Sequence, residues 1–142
     1  MRKTSWILFS PLIIFLFLFL IPVHSQEKTK EDLKLFIDCN CERSYLRQEI
    51  NFVNHVRDQA LANVELFIYD IANGSGGRTY KLDFNGKGDF EGIAHESSYD
   101  TNANMSSDEV RKGLLNAVKN GLLKYVINSD LAGKVEYKIS DE

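Results

Sequence analysis

The chain has little of several residue types that usually announce a function. In 142 residues there are two cysteines, three histidines, two prolines and one tryptophan. A zinc site takes four protein ligands, or three and a water. Cys39 and Cys41 are one residue apart, and His55 and His95 show no ligand spacing, so no metal set is legible. An excess of basic charge is also missing, since 17 Lys and Arg stand against 20 Asp and Glu. That argues against a general nucleic-acid binder, whose electrostatic footprint is a basic patch. Internal repeats and low-complexity segments are absent, which excludes solenoids and tracts of biased composition. Beyond the amino terminus no apolar run approaches the roughly 20 residues of a membrane-spanning helix.

What is present is split in two. Residues 1–25 hold 16 of the apolar residues and two charges, Arg2 and Lys3. The run Trp6 to Val23 is almost wholly apolar, Pro22 breaks it, and Ser25 offers a small residue before Gln26. A positive start, an apolar stretch, a breaker and a small residue at the cut make a cleavable signal peptide. If uncleaved, the same run is an inner-membrane anchor. Neither cysteine lies near the cut, so lipoprotein processing there is not expected. Removing residues 1–25 leaves 15 basic against 20 acidic side chains, an acidic domain of net charge −5. The expected organisation is a signal peptide over 1–25, a flexible lead-in over 26–32 and one α+β domain over 33–142.

Within that domain the hydrophobic period changes several times. Leu33 to Asp38 reads as a strand. From Arg43 the apolar residues Leu46, Ile50, Val53 and Ala60 fall at helical spacing, predicting a helix over roughly 43–60. Asn63 to Ile71 is β-branched and aromatic with few polar residues, the pattern of a strand buried on both faces. Asn73-Gly74-Ser75-Gly76-Gly77 is a turn, because glycine takes positive φ without steric cost. Tyr80, Leu82 and Phe84 alternate with polar residues as a half-buried strand, and Asn85-Gly86 suits a tight hairpin. A weaker third strand follows over 89–99. Ser106 stands three residues before Glu109, a capping-box spacing that opens an amphipathic helix over about 107–128. Gly113 and Gly121 weaken that helix unless they allow close packing. Val135, Tyr137 and Ile139 alternate as a last strand. The predicted order is β-α-β-β-β-α-β: a mixed sheet of about five strands with two helices on one face.

Few side chains suggest chemistry. Both thiols of Cys39-x-Cys41 would be exported, so oxidation is plausible there. A bridge over one intervening residue requires a local bend that brings the Cα atoms within about 7 Å. The pair also precedes a helix, whose amino-terminal dipole lowers a thiol pKa, which points to redox or metal handling. The plainer reading is a local disulfide or two small residues at a strand-to-helix corner. The acidic residues are scattered and read as solvated surface rather than a general acid–base pair. Gly74-Ser75-Gly76-Gly77 lacks the spacing of a nucleophile elbow and the lysine of a phosphate loop. Arg43, Arg47, Glu49, Arg57 and Asp58 line one side of the predicted first helix, either as salt-linked solvated surface or as a docking surface.

The stretch FIDCNCERSYLRQEINFVNHVRDQALANVELFIYD, then GSGGRTYKLDFNGKGDFEG and DEVRKGLLNAVKNGLLKYV, resembles a group of uncharacterised bacterial envelope proteins. The matching positions are Asp38, Cys39, Arg47, Glu49, Arg57, Asp58, Gly76, Gly77, Arg111 and Gly113, within residues 33–127. In many such proteins the module precedes an outer-membrane β-barrel. In outline the chain is also similar to the amino-terminal domain of the Tol–Pal system's periplasmic translocation protein. Ala62 to Phe67, Gly76-Gly77 and Tyr80-Lys81-Leu82-Asp83-Phe84 carry that likeness.

The first resemblance implies a place at the cell envelope, and the second implies protein–protein interaction there and carries no catalytic residue. With the export signal and the lack of an active-site set, the expectation is a non-catalytic module in the periplasm or at the outer membrane, with no cofactor. The expected partner is an envelope protein, with no nucleic acid. Contact with a membrane is expected only through the signal sequence or a β-barrel missing from these residues. The alternative is a thiol redox or metal-handling protein acting through Cys39 and Cys41.

Overall fold

A computed structural model describes residues 32–134. The signal peptide over 1–25, most of the lead-in and the strand expected at Val135, Tyr137 and Ile139 lie outside the described residues.

The first strand, β1 (Lys34–Cys39), buries Leu35 and Ile37 and turns Phe36 and Asp38 the other way. Helix α1 (Arg43–Glu49) follows. It stops well short of the predicted end at residue 60. Ile50 closes it, and residues 54–55 form a short edge strand, β2 (Asn54–His55), parallel to β1. Asn51, Val53, Asn54 and Val56 are all weak helix formers. Their backbone is better satisfied by the sheet: Asn54 N–H donates to Leu33 O at 2.8 Å and Val56 N–H to Leu35 O at 3.0 Å. His55 Nε2 meets the Ile50 carbonyl at 2.8 Å, giving a partner to a backbone group at the helix end.

Strand β3 (Val64–Ala72) runs parallel to β1, and β4 (Arg78–Gly86) and β5 (Ala94–Asp100) extend it as an antiparallel meander. The order across the sheet is β2-β1-β3-β4-β5. The long helix α2 (Ser107–Val126) opens on the expected capping box: Glu109 N–H donates to Ser106 Oγ, and Ser106 N–H donates to the Glu109 carboxylate at 2.7 Å. Leu46 and Ile50 from the α1 segment and Leu114, Val118, Leu122 and Tyr125 from α2 join one cluster with Leu35, Ile37, Leu66, Leu82 and Phe84. The fold is therefore a five-stranded mixed sheet with two helices on one face, an α+β arrangement.

Two other expectations change. Strand β3 is not buried on both faces: Leu66 and Ile68 point into the core, while Phe67 is half-buried and Tyr69 and Ile71 are exposed. Among the described residues the helices supply one layer only, so the second face lacks a cover of that kind. Asn85 and Gly86 do not form a two-residue hairpin. They continue β4, paired with Glu65 and Val64, and the connection to β5 passes through a 3₁₀ turn at Gly88–Phe90. Phe90 is drawn into the core by that longer path. A side chain at Gly86 would collide with the Phe90 backbone, so glycine is required for the close approach.

Candidate functional site

The strand-to-helix corner is where the chemistry-bearing residues collect. Cys39 and Cys41 are joined by a disulfide, with Cα atoms 5.2 Å apart. The bend that permits this also starts α1, and Arg43 N–H donates to Cys41 O at 2.7 Å. The Arg43 guanidinium reaches back to Cys39 O at 3.1 Å and to the Asp38 carboxylate at 3.3 Å. Arg43 thus ties the end of β1 to the start of α1.

Beside this corner an open groove of about 360 Å³ separates α1 from the first turns of α2. Leu46 and Leu114 belong to its lining, with Cys41, Tyr45, Tyr80 and Met105 around them. Arg111 crosses it, with its guanidinium carbon 4.8 Å from the Tyr45 ring centroid. Two nitrogens of that guanidinium donate to Asp108 at 2.9 and 2.7 Å, and a third lies 3.7 Å from Glu42. Lys112 also binds Asp108, at 2.7 Å. The hydrogen bonds from Lys112 and Arg111 hold the Asp108 carboxyl below its ordinary range, and the Asp108 hydrogen bond makes Arg111 hold its proton more firmly. Glu109, hydrogen-bonded by Ser106, is lowered in the same way. These groups are locked in their charged forms near neutrality. That suits electrostatic recognition and does not suit proton transfer, which needs a pKa near the working pH.

A second open groove, about 560 Å³, runs between β5 and α2, with His95, Ser97, Asn116, Asn120 and Lys124 in its lining. The His95 ring stacks on Phe84, 4.6 Å between centroids and 3° from parallel. Burial, followed by the nearby Lys124 charge, pushes the His95 pKa down. Among the described residues no group of three His, Cys, Asp or Glu could hold a metal ion.

The residues singled out in the sequence are only partly brought together. Cys39, Cys41 and Arg43 share the corner. Arg47 and Glu49 lie on α1, with Arg47 Nε buried and without a hydrogen-bond partner. Arg57 and Asp58 do not extend that helix face, because the chain has already left the helix. Asp58 instead caps a 3₁₀ turn by accepting from Ala60 N–H at 2.9 Å. Tyr80 and Met105 were not legible as groove residues. Tyr80 carried only the alternation of a strand, and Met105 sat in a polar connection. Asn73 of the Gly-rich turn has a structural task, since its side-chain oxygen accepts from Ser75 and Gly77 and its Nδ2 donates to Thr101 O at 2.9 Å.

Comparison with protein-family models, with curated proteins and with solved structures gives no match for this chain.

Proposed function

We propose that the chain is an exported, non-catalytic interaction module of the cell envelope that takes its partner in the groove between α1 and α2. The reading places it in the periplasm or at the outer membrane, on the strength of the positive start and apolar run of residues 1–25. The observation that carries the binding reading is the Arg111–Tyr45 stack beside Tyr80 and Met105. Tyr, Arg and Met are enriched where proteins meet: Tyr and Met present large apolar area, and the weakly hydrated Arg guanidinium stacks on aromatic rings while keeping its hydrogen bonds. The bridged corner holds one wall of the groove in place before a partner arrives, which reduces the ordering cost of binding.

A photo-crosslinking residue at Tyr45, in chain expressed with its own leader, tests this. The expected result is one discrete adduct from that position, lost in Arg111→Ala and absent when the crosslinker is placed at Lys119. Equal labelling at both positions, or none at Tyr45, rejects the groove as a docking site.

A second reading, thiol exchange at the corner, is favoured by one fact: Cys41 lines the open groove. A disulfide sulfur there is within reach of an attacking thiolate. Cycling of the pair between bridged and free thiols with a dithiol reductant, at the rate of a dedicated exchange protein, supports that reading. A bridge that persists until the domain unfolds removes it.

A further inference from the structure

Both helices lie on one side of the sheet, and the side chains of the opposite face form an ordered pattern. Phe36 of β1 and Phe67 of β3 meet edge to face there, with ring centroids 6.2 Å apart. Tyr69, two residues further along β3, is 50% exposed. Strand register places Asp38, Phe67, Asp83 and Glu96 in one row across four strands.

The charges of this row are unequally balanced. Asp38 is answered by Arg43, and Glu65 in the neighbouring row by Lys87. Asp83 and Glu96 stand directly opposite one another on antiparallel strands, and among the described residues neither has an ion pair, Lys81 included. Like charges placed so destabilise a strand pair. One Asp83 carboxylate oxygen is also buried without a hydrogen-bond partner. A bare acidic pair beside a half-buried aromatic strip is costly for the isolated domain. It becomes favourable once cations and apolar surface are laid over it.

We infer that this second face docks a basic amphipathic segment of a partner protein. Its apolar side covers Phe36, Phe67 and Tyr69, and its Lys or Arg residues neutralise Asp83 and Glu96. Charge complementarity selects this occupant. A neutral apolar segment leaves the acidic pair opposed and newly desolvated, and an acidic one adds repulsion. A second copy of the chain would bring the same acidic row to the interface. This site is separate from the groove between α1 and α2, so either can fail without the other.

The test titrates the exported form of the chain with a fluorescent amphipathic helix of Leu and Lys, and in parallel with its Leu and Glu counterpart. The Leu/Lys peptide is expected to bind and the Leu/Glu peptide not to. Affinity should fall about tenfold, or about 1.4 kcal/mol, in Asp83→Asn/Glu96→Gln, and comparably in Tyr69→Ser. Glu91→Gln, on an exposed loop outside the row, should bind as the unaltered chain does. Salt should weaken binding to the unaltered chain more than to the double variant. Far-UV circular dichroism and urea midpoints establish that each variant is folded. Equal affinities across the variants overturn the inference, as does equal binding of the Leu/Glu peptide. Sedimentation showing that the chain dimerises through this face, with Tyr69→Ser monomeric, overturns it in favour of self-association.

Discussion

Gly121 of α2 lies against the ring of Phe84 so closely that a Cβ at that position would overlap the ring. Gly113, eight residues earlier on the same helix, has the same relationship with the Tyr99 side chain. The two neighbours differ in freedom. Phe84 is buried within the core and stacked on His95, whereas Tyr99 is half-exposed on β5. Gly→Ala in a helix gains up to about 1 kcal/mol in propensity, and overpacking a core costs about 1–3 kcal/mol. Gly121→Ala is therefore expected to destabilise the domain, by up to about 2 kcal/mol net of the propensity gain. Gly113→Ala should be near neutral, because the Tyr99 ring can swing outward. Urea unfolding of the two variants separates them, and a larger loss in Gly113→Ala would contradict this account of the packing.

The Cys39–Cys41 bridge closes a loop of only three residues. Chain-entropy arguments give so short a loop about 1.5 kcal/mol of stabilisation, at the lower end for disulfides. The double Cys→Ser variant should fold, with a melting temperature lowered by several degrees. It should also lose definition at the groove, read as greater amide exchange over residues 40–45. Full unfolding of the variant would show that the bridge carries more than local order.

Ser106 and Glu109 satisfy two otherwise orphaned donors at the start of α2. Ser106→Ala removes one acceptor and should cost about 1 kcal/mol. Ser106→Asp preserves the acceptor and should recover most of that loss, although its charge sits beside Glu109. An alanine variant as stable as the parent would mean that the cap is redundant.

Stability should decline toward both ends of the pH range. Burial lowers the pKa of His55 and of His95 below the ordinary 6.5, with Arg47 opposing protonation of the first and Lys124 that of the second. The unfolded chain then binds protons that the folded chain refuses. Stability contributed by the neutral rings is present above about pH 6.5 and is lost as the pH falls below it. Tyr125 works in the opposite sense. Its hydroxyl donates to Ile93 O at 2.8 Å, and burial pushes its pKa up to about 12. Its contribution is complete below the unfolded value of about 10 and is lost as pH rises toward 12. Urea midpoints across the range check both limbs. His95→Gln should flatten the acid limb, and Tyr125→Phe the alkaline one.

Much of the architecture was legible in the residues because it follows from local rules. The alternation of Tyr80, Leu82 and Phe84, the capping box at Ser106 and Glu109 and the long apolar stripe of α2 each depend on neighbours within a few positions. The candidate groove was less legible. Arg111, Tyr45 and Cys41 line one groove only because α1 and α2 lie on the same sheet face, and their sequence separations carry no periodicity.

By itself, the sequence determined the α+β class, the four strands β1, β3, β4 and β5, the long helix α2 and the spacing that lets Cys39 and Cys41 bridge at a bend, but not the strand β2, which it read as helix. Tertiary structure decided where α1 ends. The backbone at Asn54 and Val56 is paired more fully by β1 than by another turn of a helix built from weak helix formers. It also decided that, among the described residues, β3 keeps one face without a helix over it, since burial depends on which layers pack on a strand and not on how apolar the strand reads. The opposition of Asp83 and Glu96 is set by strand register, a long-range quantity that neither residue encodes alone.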